Sequence, residues 1–271
     1  MVSRRALRIF DGIQLTAVLA VLAVPIAWTF LLAFKTRTEV AALPPKLFFT
    51  PTLENFIELF SRNDFLRYTV NSLIVASGST LLGLVLGAPA AFAVSWHKLS
   101  WPATVTLFAR MAPGTLFLLP WLIMFTKMGL VGGHFVLILT HAAITLPVVV
   151  WVLLPYLDAL PRELVECAQI DGARQDQILR LVVMPVVAPG LVVASILSFV
   201  FSWNYFLFAL VLSGIRTKTA IVASFNFIGE GVTNWGALMA AAVVIALPPL
   251  ILTILIQKRL VGGLAAGAVK G

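Results

Sequence analysis

The stretch that decides the fold runs from residue 157 to residue 190 and reads LDALPRELVECAQIDGARQDQILRLVVMPVVAPG. It is a polar interruption between two long apolar runs. Pro161 and Glu163 predict a helix start, because proline suits the first helical turn and an acidic side chain favours the positive end of a helix. Gly172 predicts a break in that helix. We therefore predict two short helices joined at residues 171–173.

The second of these helices is expected to bury one side. Ile178, Leu181 and Val182 recur at helical spacing and are predicted to share that side. Pro185 and Pro189 are expected to end the helix and to lead into the next apolar run. Small residues around the break leave room for another surface to approach: Ala168, Gly172 and Ala173. The alternative is an amphipathic loop that rests on lipid headgroups.

The composition on either side of this stretch is that of a membrane protein. Apolar residues make up 61% of the 271 residues and charged residues 11%, whereas a soluble domain has roughly 25% charged residues. The apolar residues form long runs, and about 20 of them suffice to cross a bilayer. The net charge of +8 is not gathered into a dense basic stretch, so we assign it to loops and expect no nucleic acid partner.

Six spans are predicted, and they define an all-α membrane protein with six transmembrane helices and a cytoplasmic two-helix loop. The spans are residues 13–34, 68–96, 104–125, 135–157, 189–213 and 236–256. The first run is too long for a signal peptide and is expected to remain as an uncleaved helix. The predicted organisation is a first helix with an outer segment (1–67), a transmembrane core (68–260) that contains the loop 158–188, and a tail (261–271).

Charge next to the spans predicts the orientation. Arg4, Arg5 and Arg8 lie beside the first span, and Lys258 and Arg259 lie beside the last. Basic residues are enriched on the cytoplasmic side of membrane proteins. Both termini and the loop 158–188 are therefore expected in the cytoplasm, and residues 35–67, with a short helix near 51–60, on the outer face.

Several function classes conflict with the sequence. A proton- or ion-coupled secondary transporter needs acidic residues within the membrane, and every acidic residue falls in a terminus or a loop. A membrane enzyme would need paired carboxylates or a metal pattern, which His97, His134, His141 and the single Cys167 do not provide. The chain has no phosphate-binding motif, so we predict no catalytic, cofactor or metal residue. A non-transporting assembly subunit stays open as an alternative.

The loop resembles the EAA loop of type I ABC importer permeases. Glu166, Cys167 and Ala168 stand where that family has Glu-Ala-Ala, Gly172 follows at the family spacing, and Met184-Pro185 closes the pattern. Cys167 stands in place of the first alanine of this pattern and is a small, conservative departure from it. Other stretches are similar to the carbohydrate, maltose-type branch of the family: residues 71–75, 146–147 with Trp151, 202–210, 235–236, 239–242 and 263–271. The resemblance covers nearly the whole chain.

This resemblance implies a permease subunit of a bacterial inner-membrane importer that carries a sugar, polyol, sulfonated sugar or glycerophosphodiester. It implies a paralogous permease, two ATPase subunits that bind ATP and Mg, and an extracytoplasmic solute-binding protein as partners. The residues that it assigns to coupling with the ATPase are Glu163, Glu166, Ala168, Asp171, Gly172 and Ala173. In the tail it assigns an ATPase contact to Gly267, Lys270 and Gly271. No solute-contacting residue is predicted.

Overall fold

The computed structural model describes residues 4–111, 114–229 and 233–268, and within these ranges it contains helices and no strand. The α-helices are α1 (Arg4–Ala33), α2 (Arg37–Val40), α3 (Glu54–Ser61), α4 (Phe65–Trp96), α5 (Ser100–Met111), α6 (Gly114–Lys127), α7 (His134–Asp158), α8 (Arg162–Ile170), α9 (Gln175–Gln177), α10 (Met184–Val186), α11 (Ala188–Trp203), α12 (Leu207–Leu212), α13 (Ala220–Ser224) and α14 (Trp235–Ala268). A π-helix over Ile178–Val183 joins α9 to α10, and a 3₁₀ turn over Phe225–Phe227 follows α13.

Four helices in the described part of the chain are long and apolar enough to cross a membrane. They are Gly12–Ala33 within α1, all of α4, all of α7, and Trp235–Leu255 within α14. They confirm the first, second, fourth and sixth predicted spans. A fifth candidate is the pair Gln175–Val186 and Ala188–Trp203, which is bent by 85°. The predicted prolines stand at this bend, because Pro185 precedes it and Pro189 lies in the first turn of α11.

The other two predicted spans differ from the structure. Residues 104–125 fall on α5 and α6, which lie on either side of residues 112 and 113, outside the described residues. The single helix predicted over residues 189–213 is wrong, because α11 ends at Trp203 and α12 begins at Leu207. The Asn204 side chain donates a hydrogen bond to the Val200 carbonyl at 2.9 Å. Such a local bond gives the backbone an alternative to continued helix.

The chain divides into two compact units, and the first comprises Met1–Leu66 and Ser224–Leu247. Within it, Lys35 is fully buried just beyond the end of α1. Its ammonium donates to the Lys46 carbonyl at 2.5 Å and lies 5.1 Å and 5.0 Å from the ring centroids of Trp28 and Phe49. Asn55 on α3 donates to the carbonyls of Ala33 and Lys35. These contacts hold α3, the predicted short outer helix, against the end of α1.

Polar contacts connect α2, α3 and Asn234 within this unit. Arg37 pairs with Glu58 at 2.7 Å, and Asn234 donates to the same carboxylate at 3.2 Å. Thr36 and Glu39 form a capping box at the start of α2. Hydrogen bonds from the Thr36 side chain and backbone lower the pKa of the Glu39 carboxyl from its usual value.

The second unit comprises Arg67–Ala223 and Pro248–Gly271 and contains the buried polar contacts among α4, α7 and α11. Ser79 on α4 is 2.7 Å from Ser202 on α11, whose hydroxyl is 3.1 Å from Nδ1 of His141 on α7. Thr145 on α7 donates to the Ser79 carbonyl at 2.8 Å. His141 is therefore a hydrogen-bonded residue of the helix bundle, and these contacts fix the three helices to one another.

Small residues let α4 approach α7 closely. A Cβ atom built on Gly87 would lie 2.9 Å from Cγ1 of Val149, and one built on Gly83 would lie 2.6 Å from Oγ1 of Thr145. Both distances are shorter than atoms in a packed interior tolerate. The glycines therefore set the distance between the two helices.

We expect Gly87→Leu to lower the stability of the chain by about 1–3 kcal/mol, because overpacking forces the two helices apart. The measurement is thermal unfolding of the purified chain in detergent. Gly12→Leu is the control, since no atom lies within 4 Å of its added Cβ. Equal midpoints for the two variants would contradict the close α4–α7 packing.

Candidate functional site: the loop between α7 and α11

The loop is held by an apolar base that belongs to the second unit. Val165 on α8 and Ile178 and Val183 in the π-helix are fully buried. They share one core cluster with Phe92, near the end of α4, and Leu153, near the end of α7. Because packed interiors resist deformation, the loop is a firm extension of the ends of these two helices.

The break between the two loop helices is a helix-ending motif built around a glycine. The amide of Ala173 donates to the Ala168 carbonyl, and the amide of Gly172 donates to the Gln169 carbonyl, each at 3.0 Å. This pair of bonds is the Schellman pattern, which needs a residue in the left-handed region. Gly172 has a φ of +80°, so the predicted break at this residue is confirmed.

The second helical piece has a different buried side from the one predicted. Leu181 was expected beside Ile178 on a buried α-helical face, but its side chain is 73% exposed, whereas Val183 is fully buried. The cause is the π-helix over Ile178–Val183. The wider turn of a π-helix places residues that are five apart on the same side, so Ile178 and Val183 share the buried side. Val182, also expected inside, is half-buried.

The predicted coupling residues divide into two groups. Glu163, Glu166, Asp171 and Gly172 are exposed, and no atom lies within 4 Å of a Cβ atom built on Gly172. Ala168 and Ala173 are half-buried and pack against the loop's own core cluster. The two alanines therefore support the turn from inside.

One residue of the exposed face was missed by sequence reasoning. Ile170 is 85% exposed at the end of α8, one helical turn after Glu166. The available signal was its spacing, since Glu163, Glu166 and Ile170 recur at three and four residues and so share a face. The exposed face of the loop, defined here as Glu163, Glu166, Ile170, Asp171 and Gly172, thus combines acidic groups with one large apolar side chain.

The other predicted contact lies in the tail. Gly267 is within α14, which ends at Ala268, whereas Lys270 and Gly271 lie outside the described residues. Among the residues that the structure describes, no group of three or more His, Cys, Asp or Glu could hold a metal ion.

Residues 1–265 match the family described as the binding-protein-dependent transport system inner membrane component. The match covers nearly the whole chain, and the chain belongs to this family. It is the permease subunit of an ATP-binding-cassette importer, a transport subunit that works in the membrane with an ATPase and a solute-binding protein.

Relatives from bacteria and archaea align with most of the chain. The trehalose transport system permease protein SugB of Mycobacterium tuberculosis is 34% identical over 94% of this chain and 95% of its own length. The trehalose/maltose transport system permease protein MalG of Thermococcus litoralis is 34% identical over 91% of each chain. The sulfoquinovosyl glycerol transport system permease protein SmoH of Agrobacterium fabrum is 32% identical over 91% of this chain and 88% of its own.

A solved structure has the same fold. It is a chain of a bacterial ABC transporter involved in the import of the acidic polysaccharide alginate, with a TM-score of 0.74 and 20% sequence identity. The likeness covers 95% of this chain and 98% of that one. The type I permease fold predicted from the sequence is confirmed.

The π-helix register can be tested by truncating its buried and exposed side chains. We expect Val183→Ala to lower the free energy of unfolding by about 2 kcal/mol, because it leaves a cavity in the core cluster. Leu181→Ala removes an exposed side chain and is expected to change stability by less than about 0.5 kcal/mol. Thermal unfolding of both variants measures the difference, and a larger loss for Leu181→Ala would refute the register.

Proposed function

We propose that this chain forms, together with a paralogous permease, the translocation path for a sugar or a related polar solute. Polyols, sulfonated sugars and glycerophosphodiesters are included in that class. The names of the relatives support this class of solute, since they include permeases for trehalose, maltose and sulfoquinovosyl glycerol. An extracytoplasmic solute-binding protein delivers the solute to the outer face.

The observation that carries the mechanism is an exposed face mounted on a buried base. Val165 anchors α8 to the core cluster, while Glu163 and Glu166 on the same helix face outward. In this proposal the exposed face docks on an ATPase subunit. Movement of the ATPase then moves α8 together with the ends of α4 and α7, because the buried base is close-packed.

The chemistry of the exposed face indicates how the ATPase binds it. Glu163, Glu166 and Asp171 offer carboxylate acceptors, and Ile170 offers an apolar side chain that can fill a pocket. We expect the docking cleft to present hydrogen-bond donors or basic groups around an apolar centre. The open surface at Gly172 lets the ATPase backbone approach closely.

The energy of transport comes from outside this chain. ATP and Mg bind to two separate ATPase subunits, since the sequence has no phosphate-binding glycine-rich motif. Both termini lie in the cytoplasm in this proposal, which puts the loop and the tail on the side of the ATPases. Gly267, Lys270 and Gly271 then contact the ATPase pair.

We expect Gly172→Trp to abolish solute uptake, because the indole fills the space that docking requires. The measurement is uptake by proteoliposomes that contain the assembled importer and its solute-binding protein, together with co-purification of the ATPase. Gly172→Ala separates the effect of backbone strain from the effect of side-chain size, because it requires the same positive φ but adds only a methyl group. This variant is expected to retain most of the uptake.

Gly129→Trp is the matched control, because it places a tryptophan at a similar glycine outside the loop 158–188. Gly129 also has a positive φ, of +68°, and no atom near an added Cβ, but it lies between α6 and α7. We expect uptake and ATPase co-purification to persist in this variant. Full uptake by Gly172→Trp would disprove the docking assignment, and uptake driven by a proton gradient without ATP would favour a secondary transporter.

A further inference from the structure

A polar cavity lies where α4 and α7 end. Its volume is about 310 Å³, and its lining includes Ser95, Trp96, Lys98, Asp158 and Arg162. The Ser95 hydroxyl donates to the Asp158 carboxylate at 2.5 Å and joins the ends of the two helices. The site is separate from the exposed face of the loop, whose residues do not line it.

The cavity is expected at the boundary between hydrocarbon and water. The membrane-spanning segments Phe65–Trp96 and His134–Asp158 both end at residues that line it. Tryptophan is enriched at this level of the bilayer. Part of the cavity wall is apolar and is formed by the buried side chains of Phe92 and Leu157. A ligand at this level can place a polar head in the cavity and an apolar part along the helices.

The charges of the lining favour an anion. The Arg162 guanidinium lies 5.3 Å from the ring centroid of Trp96, and its Nη2 donates a hydrogen bond to the Trp96 carbonyl at 3.5 Å. These two contacts orient the guanidinium and leave its other N–H groups available to a ligand. Lys98 is exposed. Within the described residues, neither cation is in ion-pair range of a carboxylate. Asp158 is the single carboxylate of the lining and accepts from Ser95.

We propose that this cavity binds the phosphate of an anionic phospholipid headgroup. Arg162 supplies directional N–H donors to the phosphate oxygens, and Lys98 adds a second positive charge. The net positive lining selects an anionic lipid over a zwitterionic one. The position of the cavity at the ends of two membrane-spanning segments favours a lipid over free phosphate, because a headgroup at this level leaves its acyl chains in the bilayer.

This site has a consequence for the loop. Arg162 is the first residue of α8 and is adjacent to Glu163 on the exposed face. A bound lipid therefore fixes the start of α8 to the membrane surface. This consequence rests on the proposed coupling function, whereas lipid binding itself does not.

The test is native mass spectrometry of the purified, assembled importer in detergent, titrated with phosphatidylglycerol. We expect the Kd for this lipid to rise roughly fivefold for Arg162→Gln or Lys98→Gln and roughly thirtyfold for the double variant, by the usual contribution of one basic residue near an anionic membrane. Arg162→Lys keeps the charge and is expected to lose less affinity than Arg162→Gln.

Arg174→Gln is the matched control. Arg174 lies on the same loop, is exposed, and is 3.4 Å from Asp176 rather than at the cavity. Its substitution is expected to leave the Kd unchanged. The proposal is overturned if Arg174→Gln weakens lipid binding as much as Arg162→Gln does. It is also overturned if phosphatidylcholine binds as tightly as phosphatidylglycerol, or if inorganic phosphate displaces the lipid when the two are at equal concentration. Assembly of each variant is checked by its complex mass in the same spectra.

Discussion

The burial of Val165, Ile178 and Val183 against the ends of α4 and α7 is the contact on which the rest of the structure depends. Because these three side chains have no exposed surface, the polar loop cannot shift without moving the core cluster beneath it. The acidic residues of α8 are consequently held outward. A loop that merely rested on lipid headgroups would bury its apolar side in the bilayer, not in the protein.

The same constraint continues into the membrane. The chain turns by 85° into α11, and α11 is fixed to α4 and α7 through Ser202, which contacts Ser79 and His141. Glycines on α4 bring it close to α7. The loop and these three helices thus share one set of packed and hydrogen-bonded contacts.

The sequence predicted the helical class, four of the spans and the break at Gly172, because these depend on local hydropathy and on a backbone conformation that glycine favours. It did not predict the buried side of the second loop helix, since a π-turn is set by tertiary packing and leaves no periodic signal. It also missed the end of α11 at Trp203, where a side-chain amide competes with the helix. The sequence also did not predict that Ala168 and Ala173 pack against the core cluster, because a small side chain fits equally well inside a turn and on a docking surface; their assignment to coupling with the ATPase stays a prediction.

The central claim is that the loop and the ends of α4 and α7 move as one body during the transport cycle. Electron paramagnetic resonance distances test it directly in a Cys167→Ser background of the assembled importer, with spin labels at Leu181 in the loop and Leu86 on α4. Both side chains are exposed, and neither is among the residues proposed to dock on the ATPase. The account predicts that this distance distribution is the same without nucleotide and with ATP trapped in the ATPases. A shift of the 86–181 distance on ATP binding would contradict it.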